Sequence, residues 1–78
     1  MTLAFVFVEC EDGRASAVKN LTQKIDGVQE AHSISGGDYD ILVKVNADDH
    51  ELHAALAAIR RISGVAALAT SIVCKTLA

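Results

Sequence analysis

The sequence predicts an α+β fold with element order βαββαβ, one four-stranded antiparallel sheet carrying two helices on one face. Three observations predict it. Hydrophobic periodicity changes from strand-like to helix-like twice along the chain. No proline and no low-complexity stretch divides it. The segment Ile25-Asp26-Gly27-Val28 also recurs as Ile62-Ser63-Gly64-Val65, each time joining a helix to a strand. At the same offset Ala15 matches Leu52 and Val18 matches Ala55. With 78 residues there is chain for one core, so residues 1–78 are expected to form a single domain.

Residues 3–9 are β-prone and apolar at both parities, as in a strand covered on both faces. Glu11-Asp12-Gly13 breaks the run. Ala15, Val18, Leu21 and Ile25 then recur at helical spacing, giving an amphipathic helix of about three turns. Gly27 stands where a left-handed cap ends it. Val28 to Ser35 alternates imperfectly and reads as an edge strand. A Gly36-Gly37-Asp38 turn leads to a strand from Tyr39 to Val45, with Tyr39, Ile41, Val43 and Val45 on the face toward the helices.

Asp48 and Glu51 have the spacing of a capping box, and Leu52, Ala55, Leu56, Ala58 and Ile59 form the apolar face of a second helix. Val65 to Thr76 is the last strand. Two echoed βαβ units under the right-handed crossover rule give strand order 4-1-3-2, the ferredoxin-like arrangement. Cys10 and Cys74 then end neighbouring strands at opposite ends of the sheet. Their separation is on the order of 20 Å, which excludes an intrachain disulfide.

Composition narrows the function. The chain is 51% apolar and 22% charged, rich for a small monomer, so a homo-oligomer is expected. One sheet face lies away from both helices, and a face-to-face sheet dimer would cover it. Net charge is −3, and no basic run exceeds Arg60-Arg61, which argues against direct nucleic-acid contact. The N-terminal apolar run meets Glu9 and has no basic start, so it reads as a strand and not as a signal. No apolar run approaches the ~20 residues of a membrane span. Cytoplasmic location is the expectation.

Residues that carry chemistry are few. His50 and His53 share a helix face in principle, but Asp48, Asp49 and Glu51 around them are ordinary helix-start residues, so no metal site is expected. No hydroxyl has an evident activating base. Gly36-Gly37 lacks the third glycine of a dinucleotide fingerprint, and no cofactor is implied. Asp38 and Asp40 flank Tyr39 at the mouth of a strand. Turn and ligand clamp both remain open for residues 36–40.

Taken together, Ser35-Gly36-Gly37-Asp38-Tyr39-Asp40-Ile41-Leu42-Val43-Lys44-Val45, the helix end Ile59 to Val65 and Thr70-Ser71-Ile72-Val73 resemble the effector-binding domain of the Lrp/AsnC transcription regulators. That domain is also called the regulation-of-amino-acid-metabolism domain. The resemblance covers essentially the whole chain and implies the dimeric α+β-barrel arrangement. It implies dimers that assemble further into octamers or other rings. A small effector, usually an amino acid, then binds between dimers. By position the implied ligand-binding residues are Gly37, Asp38, Tyr39 and Asp40 in the loop, with Thr70 and Ile72 in the last strand. His50 falls near a position that tunes the response.

Two departures qualify the resemblance. Regulators of the family carry a helix-turn-helix domain before this one, whereas here the first strand begins at Leu3. A stand-alone form is therefore expected, unable to grip an operator itself and able to join full-length regulators. Leu68 also stands where the family often has a first threonine, before Thr70, which makes the cleft more apolar. A non-catalytic amino-acid sensor is the leading expectation. A small dimeric α+β-barrel enzyme and a purely structural oligomerisation module are the alternatives.

Overall fold

The computed structural model describes residues 1–73. The elements are β1 (Thr2–Cys10), α1 (Ala15–Thr22), β2 (Val28–Ser33), β3 (Ile41–Ala47), α2 (Asp49–Arg60) and β4 (Val65–Ile72). The sheet order is β2-β3-β1-β4, which is the expected order read from the opposite edge, and every pairing is antiparallel. The expected continuation of β4 to Thr76, and the separation of Cys10 from Cys74, lie outside the described residues.

The strand β1 is central and its two parities go to different places. Ala4, Val6 and Val8 are fully buried under the helices. They meet Ile41, Val43, Val45 and Ala47 of β3, Val18 of α1, and Leu52, Ala55 and Ile59 of α2. This core is wholly aliphatic. Fully burying a Val, Ile or Leu side chain contributes roughly 1.5–3 kcal/mol, so the eight such residues of this core dominate the stability.

The repeated Ile-x-Gly-Val segment is the same turn made twice. The N–H of Val28 donates to the Ile25 carbonyl at 3.1 Å, and that of Val65 to the Ile62 carbonyl at 3.2 Å. Gly27 has φ +91° and Gly64 has φ +102°, so each occupies the left-handed region that disfavours a side chain. Each glycine carbonyl is then bonded across the fold: Gly27 accepts from the Asn46 N–H at 3.0 Å, and Gly64 from the Glu11 N–H at 2.8 Å. Arg14 completes the second joint by donating to the Ser63 carbonyl at 3.1 Å.

Several element boundaries differ from expectation, three of them with an evident physical cause. Helix α1 ends at Thr22, because Lys24 and Ile25 bond back to the Leu21 and Thr22 carbonyls, tightening the last turn by i−3 bonds. Strand β2 stops at Ser33 and β3 begins at Ile41, two residues inside the expected bounds at each side. The reason is that the Ile34 N–H bonds the Asp40 carbonyl at 2.9 Å, which closes the loop before Tyr39 can join the ladder. Asp48 caps α2 as expected, accepting from the Glu51 N–H at 2.8 Å.

Two substitutions test this packing. The Thr22 hydroxyl is fully buried and has no hydrogen-bond partner among the described residues. Thr22→Val keeps the shape and removes an unsatisfied group, so it should raise stability by about 1 kcal/mol, read as a melting temperature several degrees higher. A Cβ at Gly64 would lie 2.7 Å from the Arg14 Cβ, at a φ that already strains it. Gly64→Ala should cost about 1–3 kcal/mol in denaturant melts.

Candidate functional site

The loop between β2 and β3 is built around Asp40. Its N–H donates to the Val8 carbonyl at 2.8 Å, extending the β1–β3 ladder by one rung. Beyond that rung the chain turns away at Tyr39, and the next N–H of β1 would be left without an acceptor. The Asp40 side chain supplies one: the Cys10 N–H donates to its Oδ2 at 2.7 Å. Pairing of β1 with β4 shifts register at the same place, between Glu9 and Cys10. The carboxylate thus acts as a substitute rung at an irregular strand end.

The neighbours of Asp40 are arranged differently from the expectation. Tyr39 does not face the helices. Its ring lies 5.7 Å from that of Phe7, tilted by 49°, on the opposite side of the sheet. Strand alternation does not extend to Tyr39, because the ladder ends before it. Gly36 has φ +95°, whereas Gly37 has no positive φ. A Cβ on either glycine would meet nothing within 4 Å among the described residues. Asp38 is exposed.

The strand candidates lie on the other face. Val8 pairs with Leu68, Val6 with Thr70 and Ala4 with Ile72, so these three share the helix-side face of the edge strand β4. Leu68 packs against the core, while Thr70 is exposed and Ile72 is 55% exposed. Leu68 is level with the loop end of the sheet. Ile72 is four residues further along, roughly 13 Å at strand spacing. His50 is exposed near the start of α2, which is tied to the far end of β1 by the Thr2 hydroxyl donating to Asp49 Oδ1 at 2.8 Å. One chain therefore does not gather Gly37, Asp38, Tyr39, Asp40, His50, Leu68, Thr70 and Ile72 into one cleft.

The face away from the helices carries every aromatic ring of the chain. Leu3, Phe5 and Phe7 of β1 alternate with the buried residues and are only half-buried, and Leu42 of β3 pairs with Phe7. Ala69 lies opposite Phe7 on β4. The sequence pattern on β1 pointed to this face, but the contribution of Tyr39 was not visible there. A charged cluster borders the apolar stripe: Glu30 bonds His32 at 3.0 Å and Lys44 at 3.5 Å. The hydrogen bond from His32, then the Lys44 charge, hold the Glu30 carboxyl below its usual range. That pairing is in place above the ordinary carboxylate pKa and is lost as pH falls through the lowered value.

A separate shallow groove of about 410 Å³ lies between the turn that follows α1 and one side of α2, walled by Ile25, Ala54, Ala55 and Ala58. It contains none of the expected site residues. Among the described residues no group of three or more His, Cys, Asp or Glu side chains converges on a point. Among them, too, no helix is long and apolar enough to cross a membrane.

Cys10 gives a direct probe of the loop. Burial, and then the Asp40 charge beside it, push its thiol above the usual pKa. At pH 8 its thiolate fraction is therefore reduced. In a Cys74→Ser background, iodoacetamide should modify it more slowly than an unperturbed thiol, and Asp40→Asn should speed the reaction. A rate indifferent to that substitution would show that the carboxylate does not sit against the thiol.

Comparison with known proteins agrees with this architecture. The family described as the Lrp/AsnC ligand binding domain matches residues 3–78. The homocitrate synthase of Sulfurisphaera tokodaii is 43% identical over 76 residues, a match that covers 95% of this chain and 16% of that protein. The chain thus spans about 16% of the length of the curated relatives it matches. Among solved structures, TTHA0845 of Thermus thermophilus superposes with a TM-score of 0.89 at 25% identity, covering 100% of this chain and 99% of that one. A transcriptional regulator of Neisseria meningitidis, NMB0573 in complex with L-Met, shares the fold with a TM-score of 0.76 at 20% identity, over 99% of this chain and 52% of that one. The match over residues 3–78, on a sheet of the expected order, settles the affiliation: this chain belongs to the Lrp/AsnC ligand-binding domain family.

Proposed function

We propose that this chain is a non-catalytic sensing domain for a free amino acid, working as an oligomer in which protomers pair into dimers through the aromatic sheet face. The observation that carries the ligand half is Gly37. It has neither a positive φ nor a close neighbour, so neither the backbone nor the packing within the chain requires a glycine there. An unobstructed backbone beside the exposed Asp38 carboxylate suits a ligand bearing both an ammonium and a carboxylate, the first taken by a charge-assisted bond and the second by loop N–H groups.

The oligomer half is supported by the placement of Phe5, Phe7, Tyr39 and Leu42. Covering large apolar side chains contributes roughly 1.5–3 kcal/mol each, and the helices do not reach this face. The separation of the loop from Thr70 and Ile72 within one chain supports a cleft assembled from more than one protomer, with dimers closing into an octamer or another ring. The effector class is supported by family membership and by the L-Met complex of the Neisseria relative. Mixed assembly with full-length Lrp/AsnC regulators is one output of such a sensor. The similarity to homocitrate synthases favours a second: control of a metabolic enzyme by the amino acid sensed.

Thermal-shift titration with the twenty amino acids, with assembly mass followed in parallel, tests the proposal. An effector at a hundredfold excess over its Kd should stabilise the protein by about 2.7 kcal/mol, and mass should change with occupancy because the two equilibria are linked. Gly37→Ala has room for its methyl group, so the ligand-free melting temperature should hold while the shift disappears. Silence of all twenty, in both temperature and mass, would sink the proposal.

A further inference from the structure

We infer that the two loop carboxylates have divided roles: Asp38 receives the ammonium of the effector, and Asp40 is a positioning residue that holds the loop against β1. The assignment of Asp38 rests on the amino-acid-sensing reading above. That of Asp40 rests on the fold alone.

Asp40 is occupied from three directions. Its N–H bonds Val8 at 2.8 Å and its carbonyl accepts from Ile34 at 2.9 Å. Its Oδ2 accepts from Cys10 at 2.7 Å, in a partly buried setting. An ammonium that drew this carboxylate away would strip the Cys10 N–H of its acceptor where the β1–β4 register already shifts. Asp38 is the converse. It is exposed, makes no hydrogen bond or ion pair among the described residues, and follows Gly37, above which there is open space. Holding Asp40 rigidly at the strand end fixes where Asp38 stands two residues earlier.

The asparagine variants separate the roles, because an amide oxygen still accepts a hydrogen bond but carries no charge. Calorimetric titration uses the full chain and whichever amino acid gives the largest wild-type thermal shift. Asp38→Asn should weaken binding about tenfold or more without moving the ligand-free melting temperature. Asp40→Asn should keep affinity within about threefold, since the bond to Cys10 survives. The reverse pattern, or equal losses, overturns the assignment.

Asp40 is tested without any ligand. Asp40→Ala should lower the melting temperature and accelerate hydrogen exchange at the Cys10 amide, and Asp38→Ala should do neither. Unchanged exchange at Cys10 overturns the positioning role. If no amino acid shifts the wild type, the sensing reading and the Asp38 role fall together, while the exchange result still decides Asp40.

Discussion

The constraint on which this structure depends is the central position of β1. It pairs with β3 on one side and β4 on the other, so its residues have only two ways to point. Ala4, Val6 and Val8 go under the helices and are fully buried. Leu3, Phe5 and Phe7 must go the other way, because strand alternation allows nothing else. The helices can cover only one face of a four-stranded sheet. A strand apolar at both parities in this position therefore builds a core and, by the same geometry, a second surface that calls for a partner. The aliphatic side packs closely against α1 and α2. The aromatic side remains available, with Tyr39 added to it from the loop.

Closure of the fold away from β1 relies on backbone bonds at irregular places. Gly27 and Gly64 turn each helix into the following strand and hand their carbonyls to Asn46 and Glu11. The loop before β3 is held by the Asp40 bonds to Val8, Ile34 and Cys10. Of these bonds, the one from Cys10 to Asp40 is charge-assisted and partly buried, where a lost partner costs most. They leave the tip, Gly36 to Asp38, exposed and free of packing. A rigid base with an open tip is a suitable platform for a ligand contact, since little ordering entropy remains to be spent there.

Within one chain the loop candidates and Thr70 and Ile72 sit on different faces and at different levels of the sheet. This arrangement follows from sheet order, because β1 intervenes between β3 and β4. Such residues can share a cleft only where surfaces of separate protomers meet. In a shared cleft, ligand binding and assembly are linked and each shifts the other. Regulation then needs no large internal movement of this small domain.

The sequence alone determined the element order, the strand order, the face taken by each residue from Ile41 to Val45 of β3, the cap at Asp48 and the family. The elements and their faces follow from local periodicity and from turn residues only a few positions apart, the strand order from the echoed units under the crossover rule, and the family from the resemblance of its motifs. It left the loop ambiguous and placed Tyr39 on the helix side, because parity was extended past the point where the ladder ends. Only the tertiary structure decided that Asp40 serves Cys10, thirty residues away in sequence. It alone decided that the ring of Tyr39 meets Phe7, that Gly64 is pressed against Arg14, and that Gly37 is pressed against nothing. Each of these depends on which distant segments the sheet brings together, and on where its hydrogen bonds run out.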